Sequence, residues 1–174
     1  MALVCDAAAL LELARRSLLT ALPRLPFGVT VVDVLHADPR FDLGGLNWAQ
    51  LRRLGLRVQA VDAEGVALAI ACLADWPMLS SHDCFSIALA RQRHWPLLTH
   101  NGCVTAAATM RGIIVHDLRW LDRHLAALPA DFWGQQTTPD TRSPALRCNW
   151  RRDSEADCRF RRTACPSLTG AEAG

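Results

Sequence analysis

Pro96-Leu97-Leu98-Thr99-His100-Asn101-Gly102 and Gly112-Ile113-Ile114-Val115-His116-Asp117 enclose a run of helix formers from Val104 to Arg111. Leu97-Leu98-Thr99 and Ile113-Ile114-Val115 are short, apolar and without polar alternation, the pattern of strands covered on both faces. Two such strands around one helix imply a βαβ unit and a parallel pairing. Outward toward the C-terminus, Leu118 to Leu128 predicts a last helix. Toward the N-terminus, Ser80 can cap a helix over Asp83 to Arg93, and Pro77 separates it from Ala63 to Ala74, nearly all apolar and therefore expected to be buried. Leu56 to Val61 alternates and predicts a strand, and Trp48 to Leu54 a helix. Residues 39–47, with one Pro and two adjacent Gly, predict a loop. Val29 to Val32 is β-branched and predicts a strand, after which Asp33 is expected to cap a short helix ended by Pro39. Leu3-Val4-Cys5 predicts a first strand, and Ala7 to Arg16 the helix after it. The whole is an α/β domain with a mostly parallel central sheet.

Composition bounds the chemistry. The chain has 174 residues, 51% hydrophobic and 21% charged, enough to form a core without disulfides or structural metal. All nineteen basic residues are arginine, and there is no tyrosine. The absence of lysine excludes a P-loop lysine, a Schiff base and the lysine that partners a phosphorylated aspartate. No GxGxxG or GxSxG is present. Seven cysteines include no CxxC pair, and those at 5, 72, 84 and 103 lie in apolar stretches and read as small buried hydrophobes. No apolar run reaches the ~20 residues of a membrane span. No basic segment precedes an apolar run at the start, so the expected compartment is the cytoplasm.

Character changes near Gln135. Residues 1–136 hold twelve arginines and twelve acids, whereas 137–174 hold seven and five, so the net +2 belongs to the C-terminal part. Few aliphatics occur there and no hydrophobic period runs through it. The expected organisation is one domain over 1–130 and a poorly ordered, Arg-rich tail over 131–174.

Ligands of open parallel sheets bind outside the carboxyl ends of the strands. Asp6 follows the first predicted strand. Asp33 and Asp38 follow the second, Asp83 opens a helix, and His100-Asn101 and His116-Asp117 follow the later strands. Acid and amide residues therefore gather at one sheet edge. Taken singly, each Asp reads first as a helix N-cap, and Ser80-Ser81-His82-Asp83 has capping-box spacing. Taken together they suggest a hard cation, because clustered carboxylates otherwise repel.

Four segments in order carry a resemblance. Leu3-Val4-Cys5-Asp6 running into Ala7-Ala8-Ala9-Leu10 resembles the opening of PIN-domain proteins. Leu79-Ser80-Ser81-His82-Asp83 with Ala88-Leu89-Ala90 resembles their central motif. Leu97-Leu98-Thr99-His100-Asn101 resembles the next, and Gly112-Ile113-Ile114-Val115-His116 with Trp120-Leu121 resembles the close common in bacterial members. The resemblance covers most of residues 2–128 and implies a three-layer α/β/α domain that cleaves RNA with Mg²⁺ or Mn²⁺. It further implies a VapC-like toxin with a cognate antitoxin protein, and a homodimer. Carried over by position, the site comprises Asp6, Asp38, Asp83 and Asn101, with Asp6 and Asp83 as metal ligands and Ser80 and Thr99 in support.

Two positions depart from the family pattern. Asp38 stands where a longer Glu is usual, and Asn101 stands where an Asp is usual. An amide oxygen can ligate but brings no charge, which at an effective dielectric of ~20 weakens cation binding by a few kcal/mol. The rival reading is a catalytically degenerate PIN domain that binds RNA or a partner without cutting. A receiver domain or a haloacid-dehalogenase-like phosphatase is disfavoured by the missing lysine and by Ala8. Arg91, Arg93 and Arg111 are candidates for RNA backbone contacts. Asp117 is expected to cap the helix that begins at Leu118.

Overall fold

The computed structural model describes residues 2–38, 41, 43 and 46–127. The expected tail over 131–174 lies outside the described residues, as do Pro39 and Leu128. Five strands form one sheet: β1 (Ala2–Cys5), β2 (Gly28–Val32), β3 (Arg57–Gln59), β4 (Leu97–Leu98) and β5 (Val115–His116), in the order β3-β2-β1-β4-β5. All four pairings are parallel, with Val4 opposite Leu97 and Thr30 opposite Arg57. All four residues of β1 are buried, as a central strand covered on both faces requires.

Among the described residues six α-helices lie between the strands, α1 (Ala7–Arg15), α2 (Asp33–Ala37), α3 (Trp48–Arg53), α4 (Ala63–Asp75), α5 (Ser81–Arg93) and α6 (Gly102–Met110), and α7 (Leu118–Ala126) follows β5. The chain steps outward from β1 to β2 to β3, then returns across the sheet to β4 and on to β5. Parallel crossovers are right-handed. Helices before and after this reversal therefore cover opposite faces, which makes three layers. Helices α4 and α5 pack as a hairpin, α5 also meets α6, and Arg16 beyond α1 reaches Asp122 of α7 at 3.3 Å. The reversal places a crevice at the carboxyl ends of β1 and β4, the usual binding place in such sheets.

Four details differ from the sequence expectations. Helix α4 is not buried: only Gly65, Ala69 and Cys72 are, while Ile70 is 60% and Val66 37% exposed. It is an outer element resting mainly on α5, and apolar composition does not fix how many sides a helix has covered. Asp33 is the first residue of α2 rather than its cap, and its Oδ1 accepts from the adjacent Val34 N–H at 2.9 Å. Strand β5 begins at Val115, so Ile113 and Ile114 lie before it, Ile114 largely exposed, and His116 lies within it. Leu18–Arg24 forms a 3₁₀ segment with Pro23 inside, which the sequence pattern did not suggest.

Cys5, Cys72 and Cys84 are buried free thiols, as expected of small hydrophobes, and Cys103 is half-buried. Among the described residues no helix is long and apolar enough to cross a membrane.

Candidate functional site

The end of β1 delivers Asp6 into the crevice. Its N–H donates to Leu98 O at 3.2 Å, continuing the β1–β4 pairing by one residue. Its Oδ1 accepts from Ala9 N–H at 2.7 Å and caps α1. The residue is wholly inaccessible, and Oδ2 is a buried oxygen with no hydrogen-bond partner. Burial pushes the Asp6 pKa from 3.8 up to about 7. Thr99 and the Ala9 N–H pull it partly back, and the charge of Asp83 adds to the rise. The Thr99 hydroxyl is near enough to act on the carboxyl but donates no bond of geometry that satisfies Oδ2. An uncompensated carboxylate oxygen in a dry site is costly, and a bound cation would compensate it.

Helix α5 brings in Asp83. Ser80 caps the helix by accepting from Asp83 N–H at 3.2 Å, and Asp83 Oδ2 accepts from Ser80 N–H at 3.1 Å and from Ser80 Oγ at 2.8 Å. The capping box expected from Ser80-Ser81-His82-Asp83 is thus formed. Burial raises the Asp83 pKa, against lowering by the two Ser80 bonds and by the nearby His82. Asp6 and Asp83 come from segments far apart in the chain and meet closely enough for the charge of Asp83 to raise the proton affinity of Asp6.

Thr99 is buried just beyond β4, and its Oγ1 accepts from Asn101 N–H at 3.0 Å. Asn101 caps α6 through Oδ1, which accepts from Cys103 N–H at 2.9 Å. The amide oxygen is therefore engaged by its own helix, with one lone pair remaining. Asp38 follows α2, and its Oδ2 lies 3.3 Å from His82 Nε2, one residue from Asp83. Asp117 caps α7, accepting from Trp120 N–H at 2.8 Å, which agrees with the structural role expected of it.

Asp6, Asp83, Thr99 and Ser80 form one connected group, with Asn101 joined through Thr99 and Asp38 through His82. Among the described residues no group of three or more His, Cys, Asp or Glu side chains converges on one point. The donors present are oxygens, which suit a hard cation. Mg²⁺ commonly takes only one or two carboxylates and completes its shell with water and phosphate. The group thus fits such an ion with two carboxylates rather than four.

Sequence reasoning missed His82 as the residue that holds Asp38. It also missed the ring cluster beside the edge. His116 stacks on Trp120 with centroids 3.9 Å apart and planes at 5°, and His124 and Phe27 pack on the same indole. The one-turn spacing of Trp120 and His124 on α7 was a signal for part of it. Arg111, a candidate for RNA contact, is engaged by Asp75 Oδ2 at 2.7 Å and by Ala107 O.

No protein-family model matches the chain, and no curated protein matches it in sequence. Solved structures do match. A PilT N-terminus domain protein from the hyperthermophilic archaeon Sulfolobus solfataricus P2 superposes with a TM-score of 0.50 at 14% identity, covering 74% of this chain and 98% of that one. VapBC2 from Rickettsia felis, bound to a DNA fragment from their promoter, matches with a TM-score of 0.46 at 10% identity, over 67% and 98%. PAE2754 from Pyrobaculum aerophilum matches with a TM-score of 0.46 at 20% identity, over 74% and 91%. The first likeness shows that the fold is that of the PilT N-terminus, or PIN, domain; at this identity it speaks for fold alone.

Proposed function

We propose that the chain is a metal-dependent endoribonuclease that hydrolyses RNA phosphodiester bonds at the Asp6–Asp83 crevice. The observation that carries this reading is the unpartnered, fully buried Oδ2 of Asp6 beside Asp83 at the strand-order reversal of a PIN fold. Asp6 and Asp83 are the residues that would hold Mg²⁺ or Mn²⁺. Such an ion supplies charge neutralisation at the phosphodiester and a lowered pKa for its water.

The chain's own residues prepare the site. Ala9 N–H and Ser80 each bind one oxygen of a carboxylate, which fixes its plane and leaves Asp6 Oδ2 and Asp83 Oδ1 without hydrogen bonds. Thr99 stands beside Asp6 and favours its charged form. Asn101 is held at the rim through Thr99 Oγ1, and His82 holds Asp38 near the same rim. Leu98, Val4 and Cys5 close the floor and exclude water, which strengthens every charge interaction above them. In this reading the protein is the toxin of a toxin–antitoxin pair, restrained by a cognate antitoxin and active as a homodimer.

The engagement of Asn101 Oδ1 by Cys103 N–H favours a second reading, an RNA- or partner-binding domain that has lost cleavage. Purified protein with Mn²⁺ and RNA separates the two. Cleavage by the native chain and none by Asp6→Asn or Asp83→Asn supports the enzyme. Equal activity in all three removes the assignment. No cleavage by any of them, with no Mn²⁺ binding at millimolar metal, leaves the binding domain.

A further inference from the structure

The acids above crowd the carboxyl edge of the sheet, and the opposite edge near β2 and β3 is basic. Residues 17–32 and 43–61 contain no acid, and they meet in space. Gly55 N–H donates to Arg52 O and Leu56 N–H to Leu51 O, so α3 turns directly into β3. Gly55, at φ +86°, lies against Pro23: a Cβ there would stand 3.7 Å from Pro23 Cα. The Arg57 guanidinium lies over Gly28, the first residue of β2, where a Cβ would meet its Cζ at 3.4 Å. Arg52, Arg53 and Arg57 are all exposed. Among the described residues none of the three has an ion-pair partner or a side-chain hydrogen bond, whereas Arg15, Arg16 and Arg111 are all paired with acids.

Arg52 and Arg53 end α3 and Arg57 opens β3, three like charges within six residues and without counter-charge, which a polyanion relieves. The guanidinium fork matches phosphate. Among the described residues no large apolar side chain is exposed here: Val66, Ile70, Met78, Met110 and Ile114 all lie elsewhere. A protein-binding patch would be expected to have an apolar centre. Helix α3 also links the two edges. It starts at Trp48, whose ring lies 5.0 Å from His36 of α2, just past the carboxyl end of β2. It ends at the arginines about 9 Å further on.

We infer that Arg52, Arg53 and Arg57 form a phosphate-binding track that grips the RNA backbone on the side of the domain away from the acidic crevice. The inference rests on the proposed function only in naming RNA as the polyanion. The test is binding of a fluorescent single-stranded RNA in EDTA across a salt series, for the native chain and for R52Q/R53Q/R57Q. The control is R15Q/R119Q/R123Q, which removes equal charge from other exposed positions. The expected result is a native log K against log salt slope that falls by about 2 in the first variant, at ~0.7 per lost phosphate contact, with little change in the control. Native-like affinity and slope in R52Q/R53Q/R57Q overturn the track, as does no RNA binding by the native chain. Arginine-dependent binding of poly-glutamate in preference to RNA overturns it in favour of a protein partner. Arginine-dependent RNA binding without Mn²⁺-dependent cleavage leaves the track and removes the nuclease. Cleavage lost in Asp6→Asn but unaltered in the arginine variant does the reverse.

Discussion

Ser80 and Asp83 hold each other in both directions. Ser80 Oγ accepts from Asp83 N–H, and Asp83 Oδ2 accepts from the Ser80 N–H and hydroxyl. One carboxylate oxygen is thereby committed to the helix start, and the other is left for a ligand. The same bonds that begin α5 also orient the acid of the site.

Ser80→Ala removes the cap and one donor to the carboxylate. Losing an N-cap hydroxyl costs about 1 kcal/mol. The melting temperature is expected to fall, and Mn²⁺ binding in a calorimetric titration is expected to weaken as Asp83 loses its fixed orientation. A lower melting temperature with unchanged Mn²⁺ affinity confines Ser80 to capping.

Asp6→Asn is expected to stabilise the metal-free protein at neutral and higher pH. The folded pKa of about 7 lies above the ordinary 3.8, so the fold favours the protonated acid. That contribution is complete below about pH 4 and is lost as pH rises through 7. At about 1.4 kcal/mol per pKa unit the ceiling is roughly 4 kcal/mol. Asn keeps the cap to Ala9 and carries no charge. Melting in EDTA should show a higher temperature for the variant at pH 8 and little difference at pH 4, and Mn²⁺ should raise only the native value. Variant and native curves that coincide at pH 8 contradict the argument.

Asn101→Asp is expected to tighten Mn²⁺ binding at least ~10-fold, because an added charge near a divalent ion is worth a few kcal/mol at an effective dielectric of ~20. Asp caps a helix as well as Asn does, so stability without metal should change little. Unaltered Mn²⁺ affinity would place this side chain off the ion.

Burial, with smaller effects from His124 and Arg123, lowers the His116 pKa, against a rise from Asp117. The folded chain therefore disfavours the imidazolium that the unfolded chain forms below about pH 6.5. Stability is full above that value and declines as pH falls from it toward the lowered folded pKa. His116→Phe keeps a ring on Trp120 and should flatten this decline in thermal melts between pH 7.5 and 5. An undiminished slope assigns the effect to other groups.

The exposure of α4 separates two kinds of apolar residue. Ile70→Gln should change the unfolding free energy of the monomer by less than about 0.5 kcal/mol. Leu89→Ala, in the buried face of α5, should cost ~2–5 kcal/mol in denaturant unfolding. A large loss at Ile70 would show that α4 is covered.

Much of this was legible in the residues alone, because it depends on neighbours along the chain. Apolar runs marked the strands, and Asp6, Asp83, Asn101 and Asp117 all proved to sit at helix starts, where their short oxygen-bearing side chains belong. Residues 97–117 announced a parallel unit, and its pairing is parallel. The all-apolar run 63–74 misled because composition reports a tendency to be covered, while coverage depends on which layers lie outside.

Strand order, the desolvation of Asp6 and the meeting of Asp38 with His82 belong to folding in space. Periodicity reaches a few residues along the chain. The crevice is made by β1 and β4, more than ninety positions apart in sequence, and the electrostatics of a carboxylate are set by what surrounds it. The amino-acid order therefore supplied the elements and the oxygen donors at their ends. Packing chose which donors share one dry pocket, because only there do burial and a second charge act on the same atoms.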